Sequence, residues 1–291
     1  MKSVTKMPQR SILRATTKNA FNGLKYVLPQ TRSFDTVLAY LYFYAYQGRL
    51  PGQSETLNNH LFRLKTTDEI KDPLRTFISD KEFVKLFVKA LVSDEYNIPT
   101  EAVLRSPEEL DAYAFPHSCV IKATHSSRRI VLREAGEAID LSTLRSWFRH
   151  NYYRSSREYN YKHLRPKIIV EPYIGSGEPL EEFKIFCRDG QPKAVRYFHD
   201  RYGEDRRFWL DLDLCAVDRD NAPEPPIARD RLDDMLHVAR SLSARFSFIR
   251  VDILRHRDRI YLNELTNLHN NAGYVFDNPG VEDTVNAMLF G

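Results

Sequence analysis

None of the apolar runs in these 291 residues is long enough to cross a bilayer, so no membrane span is expected. The N-terminal Met1-Lys2-Ser3-Val4-Thr5-Lys6 is basic but lacks the apolar core of a secretory signal. Cysteine is scarce. The three residues Cys119, Cys187 and Cys215 form neither a CxxC pair nor a Cys/His spacing suited to zinc. All three fall in apolar, strand-like stretches, which reads as buried, reduced thiols in a cytoplasmic protein. Repeats and low-complexity tracts are missing too. Strong charge of one sign is also lacking, since the net charge is only +4. That balance admits an anionic substrate or a membrane surface and requires neither, and it is too modest for a dedicated nucleic-acid protein.

What is present suits an ordinary globular chain. Hydrophobic residues make up 42% and charged residues 28%, enough to bury a core, and the length suggests about two domains. The most informative stretch lies near the C-terminus. Phe248 to Leu254 and Ile260 to Asn267 are apolar, β-branched runs around the charged break His256-Arg257-Asp258-Arg259, a hairpin signature. Folding it about Asp258 sets Asp252 opposite Glu264 and Arg250 opposite Thr266. Alternation along a strand puts all four on one face. Two carboxylates so placed, roughly 5 Å apart at Cβ, repel. Either the pair is screened at a wet hairpin end, or a divalent cation sits between the acids. Mg²⁺ favours one or two carboxylates plus phosphate oxygens.

Residues 1–33 read as a polar, basic arm with a short helix. Residues 34–50 carry Tyr40, Tyr42, Tyr44 and Tyr46. Their alternation allows a strand, whereas Val37, Leu38, Leu41, Tyr44 and Ala45, an Asp35-Thr36 start and a Gly48 stop favour a helix. Ser54 to Leu61 opens another helix. Asp80 to Leu91 is amphipathic, with Phe83, Val84, Phe87, Val88 and Leu91 as its apolar stripe and Asp80 as N-cap. Short strands follow: Ala102-Val103-Leu104, then Ser118 to Lys122 and Ile130 to Arg133, with an acidic helix over Ser106 to Tyr113. The loop Ala123 to Arg129 between the second pair is either an ordinary polar turn or a phosphate clamp. Leu141 to Asn151 predicts a helix, and the basic stretch Arg145 to Arg157 reads as a solvated face. Pro166 to Ile174 is a β-run carrying Glu171, which needs a partner if buried; an amino group such as adenine N6 is one class. Gly175 to Pro179 is a loop. Glu182 to Arg188 and Gln191 to Tyr197 flank Asp189-Gly190, a strong hairpin signal. Phe208 to Leu214 is a further strand, Asp218 to Ala228 a Pro-rich loop, Arg231 to Phe246 a helix. Asn267 to Phe276 is an Asn/Gly-rich loop before a closing helix over Glu282 to Leu289.

In this order the pieces resemble the ATP-grasp superfamily, most closely its TupA-like branch of bacterial polysaccharide biosynthesis, from about residue 48 to residue 277. Gly48-Arg49-Leu50-Pro51 with Glu55-Thr56-Leu57-Asn58, then Asp80-Lys81, are similar to the opening motifs of that branch. Val120-Ile121-Lys122 with His125-Ser126-Ser127 resembles its phosphate loop. Tyr159 and Tyr161 before Pro166 to Glu171, Glu182 to Cys187 with Asp189-Gly190, Asp200-Arg201, Phe208 to Asp211, Arg250-Val251-Asp252 and Glu264-Leu265-Thr266 follow in sequence. The resemblance implies an α+β fold, with two subdomains clamping ATP between antiparallel sheets. It divides the chain into a helical extension (1–79), a lobe with the phosphate loop (80–165) and a lobe with the Mg²⁺ hairpin (166–291).

The same resemblance implies site roles. Lys122 and Lys184 contact ATP phosphates, beside the loop His125, Ser126 and Ser127. Glu171 receives the adenine amino group, with the backbone of Tyr173 and Ile174 as the hinge. Asp252 and Glu264, with Thr266, hold Mg²⁺, and Arg250 meets an acyl phosphate. The implied activity is an ATP-dependent carboxylate–amine ligase joining an amino acid or short peptide to a uronic acid of a surface polymer. A lipid-linked glycan substrate would bring it to a membrane surface. Two alternatives stand beside it: phosphoryl transfer to a sugar hydroxyl, and a nucleotide-binding module without catalysis. The loop departs from the family pattern: Ser126-Ser127-Arg128-Arg129 replaces a glycine-containing run, and glycine permits φ > 0 and close backbone approach. Pro172 follows the hinge glutamate and has no N–H, so a hinge donor must come from Tyr173 or Ile174.

Overall fold

Two antiparallel sheets face each other across the middle of the chain, and helices cover their outer sides. A computed structural model describes residues 9–175, 180–200, 207–217 and 229–291. Residues 1–8, the loop positions 176–179, residues 201–206 with the motif residue Arg201, and the Pro-rich stretch 218–228 lie outside the described residues. In order come α1 (Gln9–Val27), α2 (Arg32–Gln47), α3 (Leu57–Thr66), α4 (Pro73–Ser79) and α5 (Phe83–Leu91). Next are β1 (Ala102–Leu104), α6 (Pro107–Ala112), β2 (Cys119–Ala123), β3 (Ile130–Arg133), α7 (Leu141–Trp147), α8 (Tyr152–Ser156) and β4 (Ile168–Pro172). The chain ends with β5 (Glu181–Arg188), β6 (Gln191–Phe198), β7 (Arg207–Leu210), α9 (Arg229–Ser243), β8 (Phe248–His256), β9 (Arg259–Thr266) and α10 (Pro279–Phe290).

The first sheet has the order β1-β4-β2-β3 and the second β7-β6-β5-β8-β9. β4 pairs with both β1 and β2. The boundary expected at 165/166 therefore cuts through the first sheet, and the crossing between sheets falls at the hinge after Pro172.

Strand alternation sorts each sheet into a packed face and a cleft face. In the first sheet Cys119, Ile121, Ala123, Ile168 and Val170 pack with Leu110, Leu144 and Trp147 of the covering helices. Lys122 and Glu171 are left on the opposite face. In the second sheet Phe183, Ile185, Val195, Val251 and Ile253 pack against Met235, Val238 and Leu242 of α9. The other face is apolar only at its far end, where Phe186, Ala194, Trp209 and Phe248 meet α2, α3 and α10. Its near end carries the charged side chains of the site.

Several expectations change on contact with tertiary structure. The N-terminal arm forms a long helix, α1. α2 does end at Gly48, whose φ of 68° lets its N–H bond Tyr44 O. Its N-cap, however, is Thr31, and Asp35 is buried in the core instead. There Asp35 pairs with Arg157 at 3.0 Å and accepts from Tyr153 Oη. Arg157 is thus no surface base: it is 2% exposed and ties α1 to α2 through the carbonyls of Lys25, Leu28 and Pro29. On α5, Val84, Phe87 and Val88 are buried, while Phe83 and Leu91 at its ends are exposed. Cys119 and Cys187 are buried as expected, but Cys215 is exposed beyond β7.

A buried arginine fixes α4 to the C-terminal hairpin. Arg75, 1% exposed, donates to Phe248 O at 3.1 Å and Asn267 Oδ1 at 2.9 Å, and pairs with Glu69. Asn267 answers through Nδ2 to Arg75 O at 3.2 Å. Arg75→Met removes the charged donor and leaves these acceptors unpaired. The expected loss is about 2–3 kcal/mol, because hydrogen bonds to charged groups are worth more than neutral ones and partly exposed Glu69 stays solvated. Urea unfolding of the variant checks this, and a change below about 0.5 kcal/mol contradicts it.

Candidate active site

The hairpin β8–β9 pairs Arg250 with Thr266 and Asp252 with Glu264, as folding about Asp258 expects. Beyond Asp252 the register shifts, so that Ile253 faces Leu262 and His256 faces Arg259. The turn is therefore tighter than that fold implies, with Arg257 at φ 55°, and Asn263 is the extra residue of a bulge. One row runs across three strands: Lys184 of β5 opposite Asp252 of β8, and Asp252 opposite Glu264 of β9.

Arg250 binds these acids together. Its Nε and Nη2 donate to the two oxygens of Asp252, each at 2.6 Å. Nη2 also reaches Glu264 Oε1 at 3.1 Å and Thr266 Oγ1 at 3.0 Å, and Nη1 meets His269 Nδ1. Lys184 Nζ lies 3.3 Å from Asp252 Oδ2 and 3.0 Å from Glu182 Oε2. Burial pushes the Asp252 carboxyl up, against the pull of Arg250 and Lys184. Burial also opposes ionisation of Glu264, but Arg250, Lys81 and Lys184 outweigh it and draw that group down to about 2. Burial likewise works against charge on Arg250, yet Asp252 and Glu264 hold its proton more tightly than usual.

The first sheet contributes a second ion cluster. Lys122 Nζ pairs with Glu171 Oε2 at 2.7 Å, and Lys85 Nζ with Oε1 at 2.5 Å. Burial disfavours the charged Glu171, but the two lysines prevail and lower its pKa. A carboxylate has about four acceptor positions, so an amino donor still fits beside these partners. Lys122 also reaches Asn263 Oδ1 at 3.3 Å, so the two sheets touch along this line. Next to the hinge, Ile98, Leu180, Leu254 and Tyr261 form a small apolar cluster with half-buried Ile174. Tyr173 is half-buried beside it.

The phosphate loop is divided. Ser127 lines a cavity of about 400 Å³ together with Arg250, Glu264 and Thr266. His125 and Ser126 are buried, and His125 lines a separate cavity of about 150 Å³ with Phe148 and His150. Burial and then the Lys81 ammonium push His125 down to about 4, so its ring is neutral at pH 7. Arg128 takes φ 63°, a left-handed conformation that glycine adopts most readily. The loop thus keeps a positive-φ bend at a strain of roughly 1–2 kcal/mol.

Sequence reasoning missed four groups here. Lys81 donates to Ser126 O at 2.7 Å and adds positive charge beside Glu264. Lys85 stands one helical turn further on, a spacing that puts both lysines on one side. Asn263 was hidden by the bulge, and His269 lies in a loop without periodicity.

The residues fit a magnesium ion arriving with a nucleotide. Among the described residues no three His, Cys, Asp or Glu side chains are placed to hold a metal alone. A pair of opposed acids and a hydroxyl leave the remaining ligand positions for phosphate oxygens, which is how Mg²⁺ is usually shared. The Arg250 guanidinium bridges these two acids.

A family model described as TupA-like ATPgrasp matches residues 59–283. No curated protein matches the chain. D-Alanine-D-alanine ligase from Helicobacter pylori aligns at 16% identity and a TM-score of 0.44, over 73% of this chain and 61% of its own. This chain therefore spans less than two thirds of that enzyme. The Bacillus anthracis D-alanine--D-alanine ligase complexed with ATP aligns at 13% identity and a TM-score of 0.42, over 92% and 84%. D-Cycloserine synthetase DcsG aligns at 15% identity and a TM-score of 0.39, over 74% and 70%. Through the 59–283 match, which spans the acid row, both lysine clusters and the phosphate loop, the chain belongs to the TupA-like ATP-grasp family and carries its fold.

Proposed function

We propose that this chain is an ADP-forming carboxylate–amine ligase. The observation that carries the reading is the row Lys184, Asp252 and Glu264 on one sheet face, bridged by Arg250, within the family match. Lys122 and Lys184 take the ATP phosphates in place of their present carboxylate partners. Asp252 and Glu264, with Thr266, hold Mg²⁺, which when bound draws negative charge off the phosphate oxygens. The adenine lies along the hinge, its amino group toward Glu171 and its ring against the apolar cluster at Ile174 and Leu254. Arg250 then faces the transferring phosphoryl group. An acceptor carboxylate takes the γ-phosphoryl group, ADP departs, and an amine displaces phosphate to leave an amide. Such transfer depends on positioning and on charge stabilisation, and Lys122, Lys184, Arg250 and Lys81 supply the charge.

For substrates, the family resemblance supports a uronic acid of a bacterial surface polymer, or its lipid-linked precursor, joined to an amino acid or short peptide. The cytoplasm, where ATP is abundant, is the corresponding location. No helix among the described residues is long and apolar enough to cross a membrane.

Two measurements test the reading. ADP release is followed over uronic acids crossed with amino acids in the presence of Mg²⁺. The expected result is release that needs both a carboxylate and an amine. A stable phosphorylated sugar formed without any amine replaces the ligase by a phosphotransferase. Second, Asp252→Asn and Glu264→Gln are each expected to lower kcat by about 10²–10³, the scale set by losing one electrostatic contact to a transition state. Circular dichroism should show both variants folded. Unchanged ADP release in both removes the metal assignment.

A further inference from the structure

The cavity of about 400 Å³ beyond Arg250 and Glu264 reaches away from the hairpin toward α1, α2 and α8. Tyr42, Tyr46, Tyr152 and Tyr161 line that far part with Lys25, Arg128 and Glu158, the one acid besides Glu264 among the described lining residues. Glu158 is 6% exposed, and among the described residues its carboxylate has one hydrogen bond, from Tyr152 Oη at 3.4 Å. Burying a carboxylate with so little compensation costs several kcal/mol, on the order of the penalty for an unsatisfied charged group. No hydrogen bond or ion pair among the described residues joins it to Asp252 or Glu264. Four tyrosines and the Glu158 carboxylate suit a small organic cation, since rings and carboxylate both attract positive charge, in a cavity that Lys25 and Arg128 also border. The wall shared with Arg250 and Glu264 sets any such cation next to the phosphoryl-transfer centre.

We propose that this cavity is the amine subsite, in which Glu158 holds the incoming ammonium group and takes its proton. The proton role rests on the ligase reading, while the ammonium site does not. The Glu158 carboxylate accepts one proton from R–NH₃⁺, leaving R–NH₂. The nitrogen lone pair forms the C–N bond at the acyl-phosphate carbon. The bond from that carbon to the bridging oxygen breaks with its electron pair, and phosphate leaves. The remaining surplus proton on nitrogen goes to the departing phosphate.

The groups facing Glu158 are Tyr42 of α2, Lys65 of α3, Arg128 of the phosphate loop, Tyr152 of α8, Tyr161 and Glu264 of β9. Burial raises the carboxyl, Lys65 and Tyr152 pull it back, and it comes to about 7. Lys65 does not close the site, since its ammonium donates to Asn271 Oδ1 and lies 5.5 Å from the Tyr42 ring centre. A group poised near neutrality exchanges protons well at physiological pH.

Two arms test the proposal. In the first, methylammonium is titrated into the protein with Mg²⁺ and AMP-PNP and followed by NMR. Wild type is expected to bind it, Glu158→Gln at least tenfold more weakly, and Glu158→Asp in between. Equal affinity in wild type and Glu158→Gln, or no binding in wild type, overturns the subsite. In the second, ADP release is measured with glucuronate and either glycine or hydroxylamine, which is already neutral at pH 7. Glu158→Gln is expected to lose at least a hundredfold with glycine and to be rescued by hydroxylamine. The wild-type glycine rate should rise as the pH passes about 7, and the variant should lack that step. Equal loss with both amines overturns the proton role. Absence of ADP release from wild type with either amine counts against the ligase reading and leaves the methylammonium arm to decide the subsite.

Discussion

Two acids set directly across an antiparallel ladder repel each other, and the rest of the site follows from the need to offset that repulsion. Asp252 is fully buried and Glu264 is its ladder partner. The chain supplies cations from three directions. Arg250 comes from two residues along the same strand, Lys184 from the neighbouring strand, and Lys81 from ahead of α5. Removing Arg250 from this set strands the fully buried Asp252, at a cost of about 3–5 kcal/mol. A chain selected for stability alone would do as well with apolar side chains there. Retaining acids, and holding them with an arginine, makes sense if a mobile charge is to be exchanged for another.

The bulge at Asn263 bears on the same point. It releases the register beyond the acids, so the tip of the hairpin closes tightly while the pairs Arg250–Thr266 and Asp252–Glu264 stay in place. It also turns Asn263 toward Lys122 and Glu182, one contact in each sheet. The cleft is thus held by polar contacts that a triphosphate can replace, whereas the packed faces behind it are apolar and fixed. Rigid walls and exchangeable lining are what a nucleotide clamp requires.

How far the sequence could be read depended on the range of the interactions involved. The acid row was legible because strand alternation and a symmetric hairpin are local rules, and the bulge lay beyond the row. The Asp189-Gly190 turn was legible for the same reason: Gly190 sits at φ 74°, against Ala244 Cα, where a side chain would be both crowded and strained. Asp35 and Arg157 were not. Asp35 near a helix start resembles a cap, and Arg157 in a basic stretch resembles a solvated face. Only the meeting of α2 with the end of α8 turns them into a buried pair. β4 was recognised as a strand, but its pairing with β1 and β2 was not legible, because pairing partners leave no periodicity in one strand. The buried position of His125 was equally hidden, since the residues that share its cavity, Phe148 and His150, lie more than twenty positions away in the chain.

The proposal that most needs testing is that Asp252 and Glu264 take a metal–nucleotide complex in exchange for their contacts with Arg250. Crystals grown with Mn²⁺ and AMP-PNP test this through the anomalous signal of manganese. The account predicts a manganese peak between the Asp252 and Glu264 carboxylates, on the phosphate oxygens, with Arg250 withdrawn from Asp252. Nucleotide bound with its phosphates away from this pair, or manganese absent while Arg250 keeps both oxygens of Asp252, would contradict it.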